Sequence, residues 1–143
     1  MDVRIVTDGE ALEEAAVVLC HLRTQFTFAS LLRQVKKQVK EGYQLACVYD
    51  GDKIVAVGGF VIGLKLAWGK FIYVDDVIAL PEERSKGAGK VLLDWLKKYA
   101  KQQGCDQLHL DSGVQRFDAH RFYHREGLNI ASHHLSNTNI QDG

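Results

Sequence analysis

Apolar and polar positions recur along the chain with two different periods, and each change of period marks an element. Val3 to Val6 is a short apolar run that predicts a first strand. Asp8 stands where a helix cap belongs, and Glu10, Glu13 and Glu14 occupy early turns, where the helix dipole favours acids. Leu12, Ala15, Ala16, Leu19 and Cys20 then recur at helical spacing. Arg23 to Thr27 breaks the period. It resumes from Phe28 to Glu41, with Leu31, Leu32, Val35 and Val39 inward and Lys36, Lys37 and Lys40 on a solvated face, and Gly42 ends it. Tyr43 to Tyr49 is rich in strand formers. Asp50-Gly51-Asp52 signals a tight turn and Lys53 opens another strand, so an antiparallel hairpin is predicted. Trp68-Gly69-Lys70 marks a further turn. Phe71 to Leu80 shows so little polar alternation that it reads as a central strand, stopped by Pro81.

The second half follows one strand–loop–helix–strand crossover. Arg84 to Lys90 is a glycine-bearing loop. The helix after it places Val91, Leu92, Trp95, Leu96, Tyr99 and Ala100 on one face and Lys97, Lys98 and Lys101 near its C-terminal end, and Gly104 closes it. Gln107 to Asp111 reads as a strand, Asp118 to Glu126 as a short helix, and Leu128 to Leu135 as a last strand. The sum predicts an α+β fold with a mixed, mostly antiparallel central sheet flanked by helices.

Composition narrows the reading. A chain of 143 residues accommodates one domain, 1–143, around one core. Eighteen basic side chains balance eighteen acidic ones, which argues against a general nucleic-acid binder. The apolar run from Ile54 to Leu64 holds three glycines and is about half a membrane span, so no membrane partner is expected. Met1-Asp2-Val3-Arg4 opens no secretory signal. Cys20, Cys47 and Cys105 are odd in number and form no CxxC, so they read as buried thiols in a reducing cytoplasm.

The glycine loop carries the first candidate chemistry. A strand, a glycine-rich turn and a helix N-terminus together form a ready anion site, because the first helical N–H groups lack intrahelical partners and the dipole adds positive potential. Gly87 and Gly89 allow close approach of a diphosphate, and Arg84, Lys86 and Lys90 add charge. It is not a P-loop, since Val91 follows Lys90 and Arg84 replaces the first glycine. It is not a dinucleotide fingerprint, since Leu92 replaces the third glycine.

Arg84-Ser85-Lys86-Gly87-Ala88-Gly89 resembles the Arg/Gln-x-x-Gly-x-Gly/Ala signature of the Gcn5-related N-acetyltransferase (GNAT) superfamily. The likeness extends upstream to Val77-Ile78-Ala79-Leu80-Pro81-Glu82. Downstream, Ala119-His120-Arg121-Phe122-Tyr123-His124-Arg125-Glu126-Gly127-Leu128 is similar to the family's Ala-x-x-Phe-Tyr-x-x-x-Gly-Phe motif, with Leu128 for the final Phe. The order of elements agrees over nearly the whole chain.

The resemblance implies acetyl-CoA as cosubstrate. It implies that Ser85, Lys86, Gly87, Ala88, Gly89 and Lys90, with Arg84, hold the pyrophosphate. The backbone of Val77, Ile78 and Ala79 would pair with the pantetheine arm like an added strand. A V-shaped splay between the central strand and Gln107 to Asp111 would admit the thioester. Tyr123 is implied as the acid that meets the departing thiolate, with a core aromatic as the alternative.

Asp75 and Asp76 sit together in an otherwise apolar strand. A regular pleat would point them to opposite faces and bury at least one, whereas a bulge could re-aim one toward the cleft. By the family match Asp75 is the base and Asp76 the second candidate. The alternative is a carboxylate held structurally by backbone N–H groups or a cation. Arg116 stands where the family often has Asn, so that role does not carry over. Arg23, Gln25, Phe26 and Phe28 lie where relatives shape the acceptor pocket. His120 and His124, four apart, suggest a metal pair but lack a third ligand, and no metal is expected. His109 and Asp111 share a strand face beside the expected cleft.

The expected function is acetyl transfer from acetyl-CoA to a primary amine of a small molecule or peptide by direct attack. The alternative is a non-catalytic acyl-CoA-binding or regulatory module. Relatives are often dimers, so a homodimer is expected.

Overall fold

A computed structural model describes residues 1–142, apart from the side chains of Arg84 and Ser85. The chain forms two compact units, one of residues 1–111 and one beginning at Ser112.

The first unit is a five-stranded sheet between two helical layers. Its strands are β1 (Asp2–Val6), β2 (Gln44–Asp50), β3 (Lys53–Lys65), β4 (Gly69–Ala79) and β5 (Gln107–Leu110), in that spatial order. The first three pairings are antiparallel and β4–β5 is parallel, as a helical crossover requires. α1 (Gly9–Cys20) and α2 (Phe28–Lys40) cover one face, where Leu12, Leu19, Leu31, Leu45 and Val57 pack together. α3 (Ala88–Gln102) covers the other face, with Phe60, Ile72, Val74, Leu92 and Leu96. The mixed, mostly antiparallel α+β fold read from periodicity is the fold observed.

The short segment between α1 and α2 is fixed locally. Thr27 caps α2 through a reciprocal box, in which the Ser30 N–H donates to Thr27 Oγ1 at 3.1 Å and the Thr27 N–H to Ser30 Oγ at 3.0 Å. Asp8 is the cap residue of α1 but makes no side-chain cap bond.

The second unit contains α4 (Phe117–Arg125), none of whose residues is buried. The strand expected over Leu128 to Leu135 does not form, and among the described residues 129–142 contain neither helix nor strand. Residues 129–142 are exposed throughout. Strand propensity is mostly the fit of side chains to a half-buried pleated surface. Asn129, Ser132, His133 and His134 leave too few apolar positions to offset the entropy of ordering. The cysteines need a smaller correction: Cys47 is buried, while Cys20 and Cys105 are half-buried.

Candidate active site

β4 carries the features that make a site. Its ladder to β5 runs from Phe71↔Gln107 to Val74↔Leu110 and stops there, while β4 runs on to Ala79. The sheet therefore parts beyond Val74, as the predicted splay requires, and among the described residues no strand lies beside the β5-side edge of Val77 and Ile78. On its other side β4 stays paired with β3, with Gly58↔Val77 and Val57↔Ile78.

The pairing with β3 slips by one residue between Gly59↔Asp76 and Phe60↔Val74, which makes Asp75 the extra residue of a β-bulge. The consequence follows from the pleat. Ile72 and Val74 belong to the α3-side core, and so do Val77 and Ala79, whereas Ile78 belongs to the α1/α2 side. An unbroken alternation from Val74 would put Asp76 under α3. The bulge shifts the phase, so both carboxylates reach the α1/α2 side and line one cavity.

That cavity has a volume of about 290 Å³. Leu31 and Val35 of α2 and Phe26 form its apolar part, and Gln25, Gln34 and Gln38 supply amides. Arg23 and Tyr43 meet the two aspartates on its polar side. Phe28, grouped with this region from sequence, is instead exposed at the first position of α2.

The two aspartates are not equivalent. Arg23 Nε donates to Asp76 Oδ1 at 2.8 Å, and the Tyr43 hydroxyl donates to Asp76 Oδ2 at 2.5 Å. Arg23 Nη2 also donates to the Asp75 carbonyl at 3.0 Å. Asp76 is thus held structurally by a cation and a phenol. The Asp75 carboxylate takes no hydrogen bond among the described residues. The residue is exposed at the cavity, and partial desolvation raises its pKa, with the Asp76 charge adding to the rise and Arg23 opposing it. Burial and the adjacent Asp76 likewise hold the Tyr43 phenol protonated far above its usual range.

Beside the opening of the splay, Trp68 stacks on His109 with ring centroids 3.5 Å apart, and Lys65 Nζ lies 3.9 Å over the Trp68 ring. Burial and Lys65 lower the His109 pKa. Burial and a hydrogen bond to Asp111 raise that of Tyr73.

The glycine turn follows β4 directly. Pro81–Lys86 form a 3-10 turn where a plain loop was expected, since proline suits a first helical position. Gly87 then takes φ +84°, a left-handed conformation that glycine adopts without strain, and α3 begins. The first bond within α3 runs from the Val91 N–H to the Gly87 carbonyl at 3.0 Å, so the Ala88 and Gly89 amides precede its ladder. Gly87 itself offers no side-chain cap. Lys86 pairs with Glu83 at 3.3 Å and Lys90 with Asp94 at 3.4 Å. The Lys90–Asp94 pair is exposed at both ends and weak enough to exchange for a phosphate, whereas the exposed Lys86 partners a buried Glu83 carboxylate. Arg84 and Ser85, assigned to the same loop from sequence, have side chains outside the described residues.

Tyr123 lies on α4 of the second unit. Tyr123 is half-buried; this partial desolvation raises its pKa and Arg116 works against the rise, so the phenol stays protonated at neutral pH. The His120 and His124 rings bond main-chain oxygens, Nε2 of the first to Gly113 at 2.8 Å and Nδ1 of the second to Leu128 at 3.1 Å. Among the described residues no group of three or more His, Cys, Asp or Glu side chains is placed to hold a metal ion. No helix among them is long and apolar enough to cross a membrane.

Tyr43 and Gly59 were placed in strands from the sequence but not assigned to the site. A Cβ on Gly59 would lie 1.7 Å from the Tyr43 hydroxyl, so the missing side chain makes the room in which that hydroxyl meets Asp76. The Gly58-Gly59 doublet inside an apolar strand was the available signal, since strand glycines often mark bulges and close approaches.

Known proteins share this plan. A profile of the acetyltransferase (GNAT) family matches residues 16–128. A Bacillus subtilis protein named uncharacterized N-acetyltransferase YhdJ is 33% identical over 130 residues, covering 90% of this chain and 92% of its own. Among solved structures, a transcriptional regulator from Bacillus halodurans C-125 superposes with TM-score 0.81 at 25% identity, over 95% of this chain and 99% of that one. Aminoglycoside N-acetyltransferase AAC(6')-Iy, solved in complex with CoA, shares the fold with TM-score 0.83 at 12% identity, over 96% of this chain and 93% of that one. A parted sheet followed by a glycine turn therefore coincides with a match across most of the sequence: the chain belongs to the acetyltransferase (GNAT) family, whose chemistry is acetyl transfer.

Proposed function

We propose that this protein moves the acetyl group of acetyl-CoA to a primary amine of a small molecule or peptide by direct attack, without an acyl-enzyme. The observation that carries the reading is the end of the β4–β5 ladder at Val74 directly before the glycine turn. It leaves a strand edge at Val77 and Ile78 for an extended pantetheine arm, and the first turn of α3 at Ala88 and Gly89 is assigned to the diphosphate. Ala79, Ser85, Lys86, Gly87 and Lys90, with Arg84, complete the proposed cofactor surface.

The acceptor enters the cavity between α2 and the bulge. Arg23 and Asp76 neutralise each other there, so Asp75 gives the cavity a net negative charge that favours an ammonium group. Asp75 takes the proton from the attacking nitrogen, directly or through water. The nitrogen bonds to the thioester carbon, the C–S bond breaks, and the electron pair leaves on sulfur. Tyr123 is assigned on its motif as the group that protonates that thiolate, giving the amide and free CoA.

A screen of primary amines that monitors CoA release tests the reading. Turnover by the wild type, with steep losses in Tyr123→Phe and Asp75→Asn at similar acetyl-CoA affinity, is expected. A non-catalytic acyl-CoA-binding or regulatory module is the second reading, favoured by the regulator's name on one structural relative. Tight acetyl-CoA binding with no CoA release across the panel would select it.

A further inference from the structure

The α1–α2 connection reaches across to the bulge at a single side chain. Arg23 Nε and Nη2 both lie 2.8 Å from Asp76 Oδ1, and Nη2 donates to the Asp75 carbonyl at 3.0 Å. One planar guanidinium thus grips two consecutive residues, one by its carboxylate and one by its main chain. Rigid fork geometry suits this task, and an ammonium could not reproduce it. Tyr43 closes the other side of the Asp76 carboxylate at 2.5 Å. The Asp76 side chain is only 15% exposed, whereas Arg23 is 42% exposed at the cavity.

We propose that Arg23 is a positioning residue for the base: by pinning Asp76 and the Asp75 carbonyl together, it leaves the Asp75 carboxylate as the one carboxylate presented unpaired to the acceptor cavity. The catalytic part of this inference rests on the acetyl-transfer reading above; the placement and ionisation of Asp75 do not.

The charges around Asp75 give the inference a sign. Asp76 faces it from the same strand and Asp111 from beyond the end of β5, and both make its ionisation harder. Tyr73 and Tyr43 lie close enough for the Asp75 charge to raise their own pKa values, and both are neutral near pH 7. Arg23 alone among the groups acting on Asp75 favours the charged form. A positively charged clamp therefore keeps the base ionised as well as aimed, and loss of Arg23 differs in sign from loss of Asp76.

The test is a carboxyl NMR titration of Asp75 in the wild type, Arg23→Gln and Asp76→Asn, paired with the pH profile of kcat/KM. Asp75 should titrate at higher pH in Arg23→Gln and at lower pH in Asp76→Asn. With an amine acceptor, Arg23→Gln should lower kcat/KM about tenfold or more at neutral pH and move its acid limb upward. The KM for acetyl-CoA should hold. Arg23→Lys, which keeps the charge and loses the fork, should restore the acid limb but only part of the rate. An Asp75 titration unchanged in both variants overturns the inference, even if the wild type acetylates amines. An equal loss of rate at every pH also overturns it, because that reports damage to the fold. If the wild type acetylates no amine, the acetyl-transfer reading fails, and the two titrations still decide the placement.

Discussion

Gly59→Ala tests the packing that holds the bulge. Local preference points toward stabilisation, because alanine costs less backbone entropy than glycine within a strand, by about 0.5–1 kcal/mol. Packing points the other way. The new methyl would lie 1.7 Å from the Tyr43 hydroxyl and 2.3 Å from Cζ of its ring, and Tyr43 is only 3% exposed. The ring has to shift, and overpacking of this kind costs about 1–3 kcal/mol. The shift also breaks the 2.5 Å bond to Asp76, and a hydrogen bond to a charged acceptor contributes about 1.5–3 kcal/mol. Subtracting the backbone gain leaves a net loss of about 2–5 kcal/mol. Urea denaturation followed by tryptophan fluorescence measures it. The same substitution in a Tyr43→Ala background is the control, since the space is then open and Gly59→Ala should be neutral or slightly stabilising. Equal cost in both backgrounds, or a cost below about 1 kcal/mol in the wild type, would refute the packing argument.

Other expectations follow from individual groups. Asp75 has a raised pKa, so its ionisation disfavours the folded state. The folded state keeps its full advantage at pH below the ordinary carboxylate range and loses it as pH rises through the raised value. Asp75→Asn should therefore stabilise at neutral pH by less than about 1 kcal/mol, given the exposure of the group, and by nothing in acid, as melts across pH would show. Cys47 has its thiol pushed up to about 12 by burial and by Glu14, so it should resist alkylation at pH 8 until the protein unfolds, whereas Cys20 and Cys105 should label sooner. Trp68→Ala should cost about 0.5–1.5 kcal/mol through lost stacking and raise the His109 pKa by exposing the ring, readable in an imidazole NMR titration.

Most of the fold was legible because its elements announce themselves locally. The helical period of α1 and α2, the Asp50-Gly51-Asp52 turn and the apolar density of β4 are short-range signals. The carboxylate pair was legible as an anomaly in an apolar strand, and a bulge was one way to resolve it. Which carboxylate stays unpaired was not legible. Tyr43 lies 33 positions from Asp76 and Arg23 lies 53, and no periodicity links residues brought together by sheet register. The strand expected at Leu128 failed for the opposite reason: its local propensity had no packed surface to support it.

Amide hydrogen exchange in the presence and absence of acetyl-CoA tests the proposed thioester slot most directly. Exchange should slow at Val77 and Ile78 and in the first turn of α3, around Ala88 and Gly89, while the solvated face of α2 keeps its rates. Binding that leaves those two segments unprotected, or that protects a different surface, would contradict the account.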